Sequence, residues 1–217
     1  MIAMGNNIDP KTAACFSGHR FLPPSEIPYL KARIEAELVH AYEDGYRFFL
    51  CGGALGLDTL AAQVILCFRE KHPDIRLVLA IPCATQADNW SEKNRNLWNS
   101  IRLQADEVHV LSETYYDGCM QTRNRYMVES TSLCLCYLTR FKGGTWSTVR
   151  YALHRGLMVK NLAMPAMPDP VMRENIWNYI YIFHSVCENA NTVRLFLSPP
   201  EKRKKISISH PCSGKLK

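Results

Sequence analysis

The sequence lacks any apolar run close to the roughly 20 residues that a membrane-spanning helix needs. Its first residues, MIAMGNNIDPK, also lack the basic and apolar regions of a secretory signal peptide. These two absences predict a cytoplasmic protein with no membrane partner.

Zinc-type spacing is missing as well. The nine cysteines include no Cys-x-x-Cys pair and no grouping with histidine at ligand spacing, so we expect no metal site. Several cysteines lie inside apolar runs, such as Cys51 in FFLC and both Cys134 and Cys136 in LCLCY. We interpret these as small, buried and reduced side chains.

Most of the sequence has no excess of positive charge. The net charge is +6, and six basic residues fall within the last sixteen positions, so the remainder is close to neutral. We interpret the basic end as a solvated tail. A near-neutral body argues against a nucleic-acid partner, because such binding depends on cations that neutralise phosphates. The six basic residues are Lys202, Arg203, Lys204, Lys205, Lys215 and Lys217.

Apolar runs alternate with amphipathic helical patterns between residues 11 and 163. This alternation predicts one Rossmann-like, doubly wound α/β domain, with a mainly parallel sheet and helices on both faces. Residues 164–198 are interpreted as a linker and a C-terminal helix, and residues 199–217 as a basic, disordered tail. Strands are predicted at 13–17, 47–51, 76–81, 107–111, 133–138 and 157–162, and helices at 26–42, 57–68, 91–103, 121–129 and 145–154.

Glycines and polar residues follow five of the predicted strands. The carboxyl ends of the strands in an open parallel sheet form one crevice, where ligands bind. We therefore expect one binding site built from several loops. The candidate ligand-binding residues are Ser17, Gly18, Arg20, Gly52, Gly53, Gly56, Asp58, Trp90, Asn94, Arg123, Arg125, Gly143, Gly144 and Thr145.

Two of these loops are rich in glycine and precede a helix. In CGGALGLD (51–58) the glycines allow a tight turn and a close approach to phosphate, beside the positive end of the next helix. The alternative is a tight turn without a ligand. Asp58 either binds a ribose hydroxyl or only complements the helix dipole. The second loop, KGGT (142–145), has the same character, and Thr145 either caps the helix or contacts the ligand. Neither loop matches the GxGxxG fingerprint or a P-loop.

Three arginines are candidates for phosphate contacts, because a guanidinium group holds phosphate through two hydrogen bonds. Arg20 follows the first strand. Arg123 and Arg125 are predicted to open a helix, where a cation opposes the helix dipole, and this misfit favours a binding role.

Three further residues each have two interpretations. His19 is either a proton-transfer group or a hydrogen-bonded structural residue. Trp90 and Asn94 either present an aromatic face to a nucleotide base or belong to the core.

The loops occur in the order SGHR (17–20), GGALGLDTLAAQ (52–63), IPCATQADNW (81–90), QTRNRYMVES (121–130) and KGGTWSTVRYA (142–152). In this order they resemble the SLOG superfamily, which is named for the DNA-processing protein Smf/DprA and the "lonely guy" phosphoribohydrolases. Over residues 11–163 the chain looks most like the YpsA-type branch of bacterial proteins. The resemblance implies a Rossmann-like fold that binds a nucleotide or a derivative such as ADP-ribose, with no further cofactor.

The resemblance also bears on catalysis. Phosphoribohydrolase members cleave an N-glycosidic bond with an arginine and with the glutamate of a PGGxGTxxE motif. Here Trp146 and Ser147 stand where that motif has glycine and threonine, and Arg150 stands at the glutamate position. The expected catalytic carboxylate is therefore absent from its usual place.

Three hypotheses follow. The first is binding of a nucleotide or ADP-ribose-like ligand, as in a sensor. The second is hydrolysis of an N-glycosidic bond, with Asp58, Glu129 and His19 as candidate catalytic residues. The third is binding of single-stranded DNA, by analogy with the DNA-processing relatives. The base of the ligand and the formation of homo-oligomers stay open.

Overall fold

The computed structural model describes residues 8–163 of the chain. The predicted linker and C-terminal helix (164–198) and the basic tail (199–217) lie outside the described residues. The strands are β1 (Ala13–Gly18), β2 (Phe48–Cys51), β3 (Arg76–Ile81), β4 (Glu107–Val110), β5 (Leu133–Tyr137) and β6 (Met158–Asn161). The α-helices are α1 (Ile27–Glu43), α2 (Leu57–Arg69), α3 (Glu92–Gln104), α4 (Cys119–Glu129) and α5 (Gly143–His154).

The six strands form one sheet in the order β4-β3-β2-β1-β5-β6, and every neighbouring pair is parallel. The predicted Rossmann-like, doubly wound α/β fold is therefore confirmed. Chain order runs outward from β1 to β4 and then returns to β5 on the other side of β1. This reversal places the topological switch point between β1 and β5, which is where an open parallel sheet opens a crevice for ligands.

Two apolar layers cover the sheet, because successive side chains of a strand point to opposite faces. Ala14 and Phe16 of β1 pack with α1, α2 and α3 on one face. Ala13 and Cys15 of the same strand pack with α4 and α5 on the other. Both faces of the central strands are thus buried, which explains why these strands read as continuous apolar runs.

The cysteines in apolar strands are buried as predicted. Cys51, Cys134 and Cys136 are 0–1% exposed. All seven cysteines between residues 8 and 163 are free thiols. Within the same range no group of three or more potential ligand side chains is arranged to hold a metal ion, and no helix has the length and hydropathy to cross a bilayer.

Two helices begin earlier than predicted, and both differences affect the site. α4 starts at Cys119 rather than at Gln121, so Arg123 and Arg125 lie beyond its first turn, and the predicted misfit with the helix dipole is wrong. α5 starts at Gly143, so Thr145 is the third residue of the helix and does not cap it. Gly143 and Gly144 are poor helix formers, which hid the start of α5 in the sequence pattern.

Candidate functional site

A cavity of about 560 Å³ opens at the carboxyl edge of the sheet, at the switch point between β1 and β5. The loop after β1, the turn after β2, the loop after β5 and the first turns of α4 and α5 contribute to its wall. Its volume is within the range of small-molecule sites. The lining residues are Phe16, Ser17, Gly18, His19, Arg20, Phe21, Pro23, Ala54, Asp58, Met120, Arg123, Asn124, Met127, Tyr137, Thr139, Arg140, Gly144 and Thr145.

A buried ion pair forms part of the cavity wall. Arg123 Nη1 lies 3.6 Å from Asp58 Oδ2, and the two residues are only 6% and 5% exposed. Asp58 Oδ2 also accepts the backbone N–H of Ala54 at 3.3 Å. Arg123 donates from Nη1 to the carbonyl oxygen of Gly52 and from Nε to Asn124 Oδ1. Removing one partner of such a pair would leave the other charge buried and uncompensated.

Burial acts on both members of this pair. It raises the pKa of Asp58, against the opposing effect of the Arg123 charge. It likewise lowers the pKa of Arg123, against the opposing effect of Asp58. Both shifts mark a desolvated environment, in which a further hydrogen bond to an ionic ligand is stronger than it would be at the protein surface.

Three polar side chains that are more than nine-tenths buried have atoms without a hydrogen-bond partner among residues 8–163. These atoms are Ser17 Oγ, Thr145 Oγ1 and Arg123 Nη2. The residues are 7%, 8% and 6% exposed. None of the three atoms is fully enclosed, since in the described range only Gln86 Oε1 and Trp98 Nε1 are both enclosed and unpartnered. Because all three residues line the cavity, these atoms are open to it.

The start of α5 adds backbone donors to the same wall. Lys142 precedes the helix and provides no side-chain cap. The backbone N–H groups of Gly143, Gly144 and Thr145 have no acceptor within the described part of the chain. A helix start with free N–H groups and the positive end of the dipole favours an anion.

His19 joins two loops and is held in one tautomer. Its Nε2 accepts the backbone N–H of Thr139 at 3.2 Å, so this nitrogen carries no proton and the proton of the neutral ring is on Nδ1. Its carbonyl oxygen accepts the N–H of Leu57 at 3.2 Å. Burial, and then the nearby charge of Arg140, lower the pKa of His19 below its ordinary value of 6.5. The structural interpretation of His19 is thus favoured, although its ring does line the cavity.

The glycines of the turn after β2 do not lie at the cavity, where the sequence pattern led us to expect them. None of Gly52, Gly53 and Gly56 lines the cavity. A Cβ at Gly52 would overlap the guanidinium of Arg123, and one at Gly56 (φ +82°) would overlap the carbonyl of His19. Gly53 lies against Trp98, and its carbonyl accepts the side-chain amide of Gln86 at 2.9 Å. The space that these glycines leave is filled by the protein itself.

The structure does not bring Trp90 and Asn94 to the cavity. Trp90 packs against the core beneath α3 and makes an edge-to-face contact with Trp98, with 6.3 Å between ring centroids. The core interpretation of Trp90 is therefore favoured over base stacking. The helix after β3 lies two strands away from the switch point, which explains why its loop does not reach the site.

Glu129 and Arg125 also lie outside the cavity. Glu129 is the last residue of α4, at the opposite end of the helix from the cavity, and it accepts a hydrogen bond from Tyr151. Arg125 is exposed, with its guanidinium 5.8 Å from the ring centroid of Tyr151. Among the acidic residues of the described chain, Asp58 alone lines the cavity.

Sequence reasoning missed several lining residues. Arg140 and Thr139 follow β5 directly, and their position after a strand was an available signal. Phe21 is 91% exposed at the edge of the cavity, directly after Arg20. Met120 carried no sequence signal, because it reaches the cavity only through the earlier start of α4.

Comparisons with known proteins agree with this architecture. The family model described as the YspA SLOG family matches residues 23–155, more than half of the chain. A UPF0398 protein of Halalkalibacterium halodurans is 31% identical over 121 residues, which cover 55% of this chain and 64% of that protein. A UPF0398 protein of Bacillus pumilus is 31% identical over 107 residues, covering 48% and 58%. The chain thus matches less than two thirds of the length of these relatives.

Two solved structures share the fold. DNA processing protein A from Streptococcus pneumoniae has a TM-score of 0.55 at 18% identity, covering 80% of this chain and 56% of that one. DNA processing protein A from Helicobacter pylori has a TM-score of 0.56 at 15% identity, covering 83% and 82%. The latter structure was described for its unique single-stranded DNA binding mode.

The expectation that nucleic acid is an unlikely partner is therefore wrong. The Helicobacter pylori protein uses a similar fold and binds single-stranded DNA. The error has a physical cause. The charge of the whole body, which is near neutral, does not report the local charge at the edge of the sheet, where Arg20, Arg123 and Arg140 face a single carboxylate, Asp58.

Proposed function

Since this chain belongs to the YspA SLOG family, we propose that its cavity at the switch point binds a nucleotide or a nucleotide derivative of the ADP-ribose type. One observation carries the proposal. Ser17 Oγ, Thr145 Oγ1 and Arg123 Nη2 belong to side chains that are more than nine-tenths buried, lack partners within residues 8–163, and are open to one cavity. Because these hydrogen-bonding atoms are accessible from one cavity, a ligand that enters it can bond to all three.

The charge of the cavity favours an anionic group. Three arginines and one carboxylate line it, and the uncapped start of α5 adds free N–H groups. Arg20 and Arg140 are exposed, and within the described residues neither has an ion-pair partner. A phosphate at the start of α5, with arginine contacts, would satisfy these donors together.

The remaining wall suits a sugar and a base. Asp58 and Ser17 offer hydrogen-bonding oxygens of the kind that ribose hydroxyls use. The edge carries the exposed ring of Phe21, which offers a flat face for a planar base. An aromatic ring and a few convergent polar groups are the usual composition of a small-molecule site.

The test is a thermal-shift and calorimetric screen of the full chain with the four nucleoside 5′-monophosphates, ADP-ribose, NAD and cyclic nucleotides. A ligand that binds only the folded state raises the melting temperature. Arg140→Ala should weaken the best binder about tenfold, since one hydrogen bond to a charged group contributes roughly 1.5–3 kcal/mol.

Arg155→Ala is the matched control. Arg155 directly follows the other end of α5, is exposed, and lies outside the cavity. It should leave the affinity within about twofold of wild type. The proposal is wrong if the folded wild-type chain is stabilised by none of these compounds, or if Arg140→Ala and Arg155→Ala bind equally well.

Binding of single-stranded nucleic acid is a second candidate function. It is favoured by the shared fold of the Helicobacter pylori protein and by three arginines at one edge of the sheet. Fluorescence anisotropy with labelled single strands at several salt concentrations tests it, using a chain truncated after Ser198 so that the basic tail does not contribute. Affinity that falls steeply with salt and is weakened by Arg140→Ala supports this candidate. Binding that is lost on truncation contradicts it.

A further inference from the structure

A second depression lies beside the cavity, between helices α4 and α5. This α4–α5 groove has a volume of about 750 Å³. It shares Met120, Asn124 and Gly144 with the cavity, so the two spaces are neighbours with a common wall. The remaining lining residues are Gln121, Arg125, Gly143, Ser147, Thr148, Arg150, Tyr151 and His154.

The charge of the α4–α5 groove has one sign. Arg125 and Arg150 line it together with His154, whereas none of its lining residues is acidic. Arg125 and Arg150 are exposed and have no ion-pair partner among residues 8–163.

Some arginines of the described chain are neutralised by a carboxylate. Arg33, Arg47 and Arg69 each form an ion pair with a carboxylate, at 3.0, 2.6 and 2.5 Å. Within the described residues, the two arginines of the groove have no such neutralising partner, and they lie on a concave wall that suits an anion.

We propose that the α4–α5 groove binds a second phosphate-linked unit of the ligand whose first nucleotide occupies the cavity. This inference rests on the proposed function. The shared chemistry is a phosphate that continues from the nucleotide, and it has two sources: the pyrophosphate of an ADP-ribose-type compound or the phosphodiester of a short oligonucleotide.

The geometry of α5 suits a ligand that is longer than a single nucleotide. α5 runs from Gly143, at the edge of the cavity, to His154, and its length is about 17 Å at 1.5 Å per residue. Ser147, Arg150, Tyr151 and His154 lie along one face of the helix, at the spacing of successive turns. A ligand with a second unit can extend from the cavity along that face, because the two spaces share Gly144.

Arg150 has a further meaning in this arrangement. The resemblance to the phosphoribohydrolases places Arg150 at the position of their motif glutamate. In this protein Arg150 lines the groove and not the cavity. A cation at this position attracts the phosphate groups that a carboxylate would repel. The Tyr151 ring beside Arg125 adds an aromatic face in the same groove.

The experiment measures the affinities of the full chain by calorimetry for three sets of probes. These are the four nucleoside 5′-monophosphates, ADP-ribose, and the four homotrinucleotides of DNA. Each set is measured for wild type, Arg150→Ala and the control Arg155→Ala. Both arginines are exposed and five residues apart, but only Arg150 lines the groove.

We expect Arg150→Ala to weaken ADP-ribose or a trinucleotide about tenfold while changing the affinity for the monophosphates less than twofold. Arg155→Ala should change neither. Loss confined to ADP-ribose identifies the pyrophosphate as the source, and loss confined to trinucleotides identifies the phosphodiester. Arg150→Lys should restore part of the affinity, because it returns the charge without the planar fork.

Different failures point to different errors. If no monophosphate, ADP-ribose or trinucleotide binds, the proposed function fails and the groove proposal fails with it. If monophosphates bind but longer probes bind no more tightly, or if Arg150→Ala weakens all probes equally, the cavity stands and the groove proposal is overturned. Equal losses for Arg150→Ala and Arg155→Ala would also overturn it, because they would report only the net charge.

Discussion

Two turns of this molecule each contain a pair of adjacent glycines but have opposite environments. The turn after β2 (51–58) has Gly52 and Gly53 before α2, and the segment after β5 (138–145) ends with Gly143 and Gly144, the first two residues of α5. Both glycine pairs lie at the carboxyl edge of the sheet. In the first turn, a Cβ at Gly52 or Gly56 would overlap other protein atoms. In the second, a Cβ at Gly143 or Gly144 would meet nothing within 4 Å.

The two helix starts differ in the same way. The first N–H group of α2, that of Leu57, donates to the carbonyl of His19. The first N–H groups of α5 have no acceptor in the part of the chain that the structure describes. In the first turn other protein atoms fill the space beside Gly52 and Gly56, and we call it the closed turn. In the second turn the space beside Gly143 and Gly144 is empty, and we call it the open turn. A glycine-rich turn therefore indicates ligand binding only where the space beside its glycines is empty.

The largest effect should come from Gly56→Ala. The residue has φ +82° and ψ −124°, a conformation that essentially only glycine adopts, and a Cβ would overlap the carbonyl of His19. We expect a loss of about 3 kcal/mol or more in the free energy of unfolding, measured by urea denaturation.

Gly143→Ala is the control for backbone conformation, since Gly143 has φ +81° but open space around it. Its cost should stay near the roughly 1–2 kcal/mol of a left-handed residue alone. Equal losses at the two positions would contradict the distinction between a closed and an open turn.

Gly52→Ala should have an effect of similar size, and it acts through Arg123. The new methyl group would overlap the guanidinium and lie 2.7 Å from Asp58 Oδ2. Displacing the guanidinium would leave a buried carboxylate unpaired, which costs roughly 3–5 kcal/mol. In an Arg123→Ala background, we expect the same glycine substitution to cost no more than about 1 kcal/mol further, because the pair is already broken. Strict additivity in this double-mutant cycle would show that Arg123 does not fill the space beside Gly52.

The fold could be predicted from the sequence because its signals are periodic and local. Continuous apolar runs such as LCLCY and the spacing of Leu57, Leu60, Ala61, Val64 and Ile65 in α2 report burial directly. The sequence also predicted that several of the loops after the strands meet in one place, since parallel strands bring their carboxyl ends to one edge of the sheet. The residues that do meet at the cavity include Ser17, Arg20, Arg123 and Gly144.

Other features of the site depend on contacts that a pattern does not contain. The sequence does not show that Gly52 makes room for Arg123, or that Trp90 packs on Trp98, because these pairs are distant in the chain. The early start of α5 was hidden by Gly143 and Gly144, its first two residues. Tertiary packing decides which side of a turn is filled, and so the sequence did not show that Ala54 and Asp58 of the turn after β2 line the cavity while its glycines do not.

His19 connects the two turns, and its protonation should loosen both. Burial, and then Arg140, lower the pKa of His19 below 6.5, and Nε2 must stay unprotonated to accept the N–H of Thr139. A depressed pKa in the folded state contributes stability that is present above pH 6.5 and is lost as the pH falls through the folded-state value. We expect the melting temperature of wild type to fall more than that of His19→Asn when the pH is lowered from 7 to about 5. Parallel pH profiles of the two proteins would contradict this role of His19.

The smallest effect on stability, and the most informative one for function, should come from Gly144→Ala. The position is helical and open, and alanine in a helix is favoured over glycine by about 0.5–1 kcal/mol, so the free energy of unfolding should stay the same or rise slightly. The added methyl group would project beside the free N–H groups that line the cavity, and we expect it to weaken the best nucleotide found by calorimetry at least fivefold. If Gly144→Ala changes neither the free energy of unfolding nor the affinity, the ligand does not occupy the space beside Gly144. If Gly144→Ala keeps its stability and loses affinity, it contrasts with Gly56→Ala, for which we expect a loss of stability. The two variants would then show that one glycine pair serves packing and the other serves ligand binding.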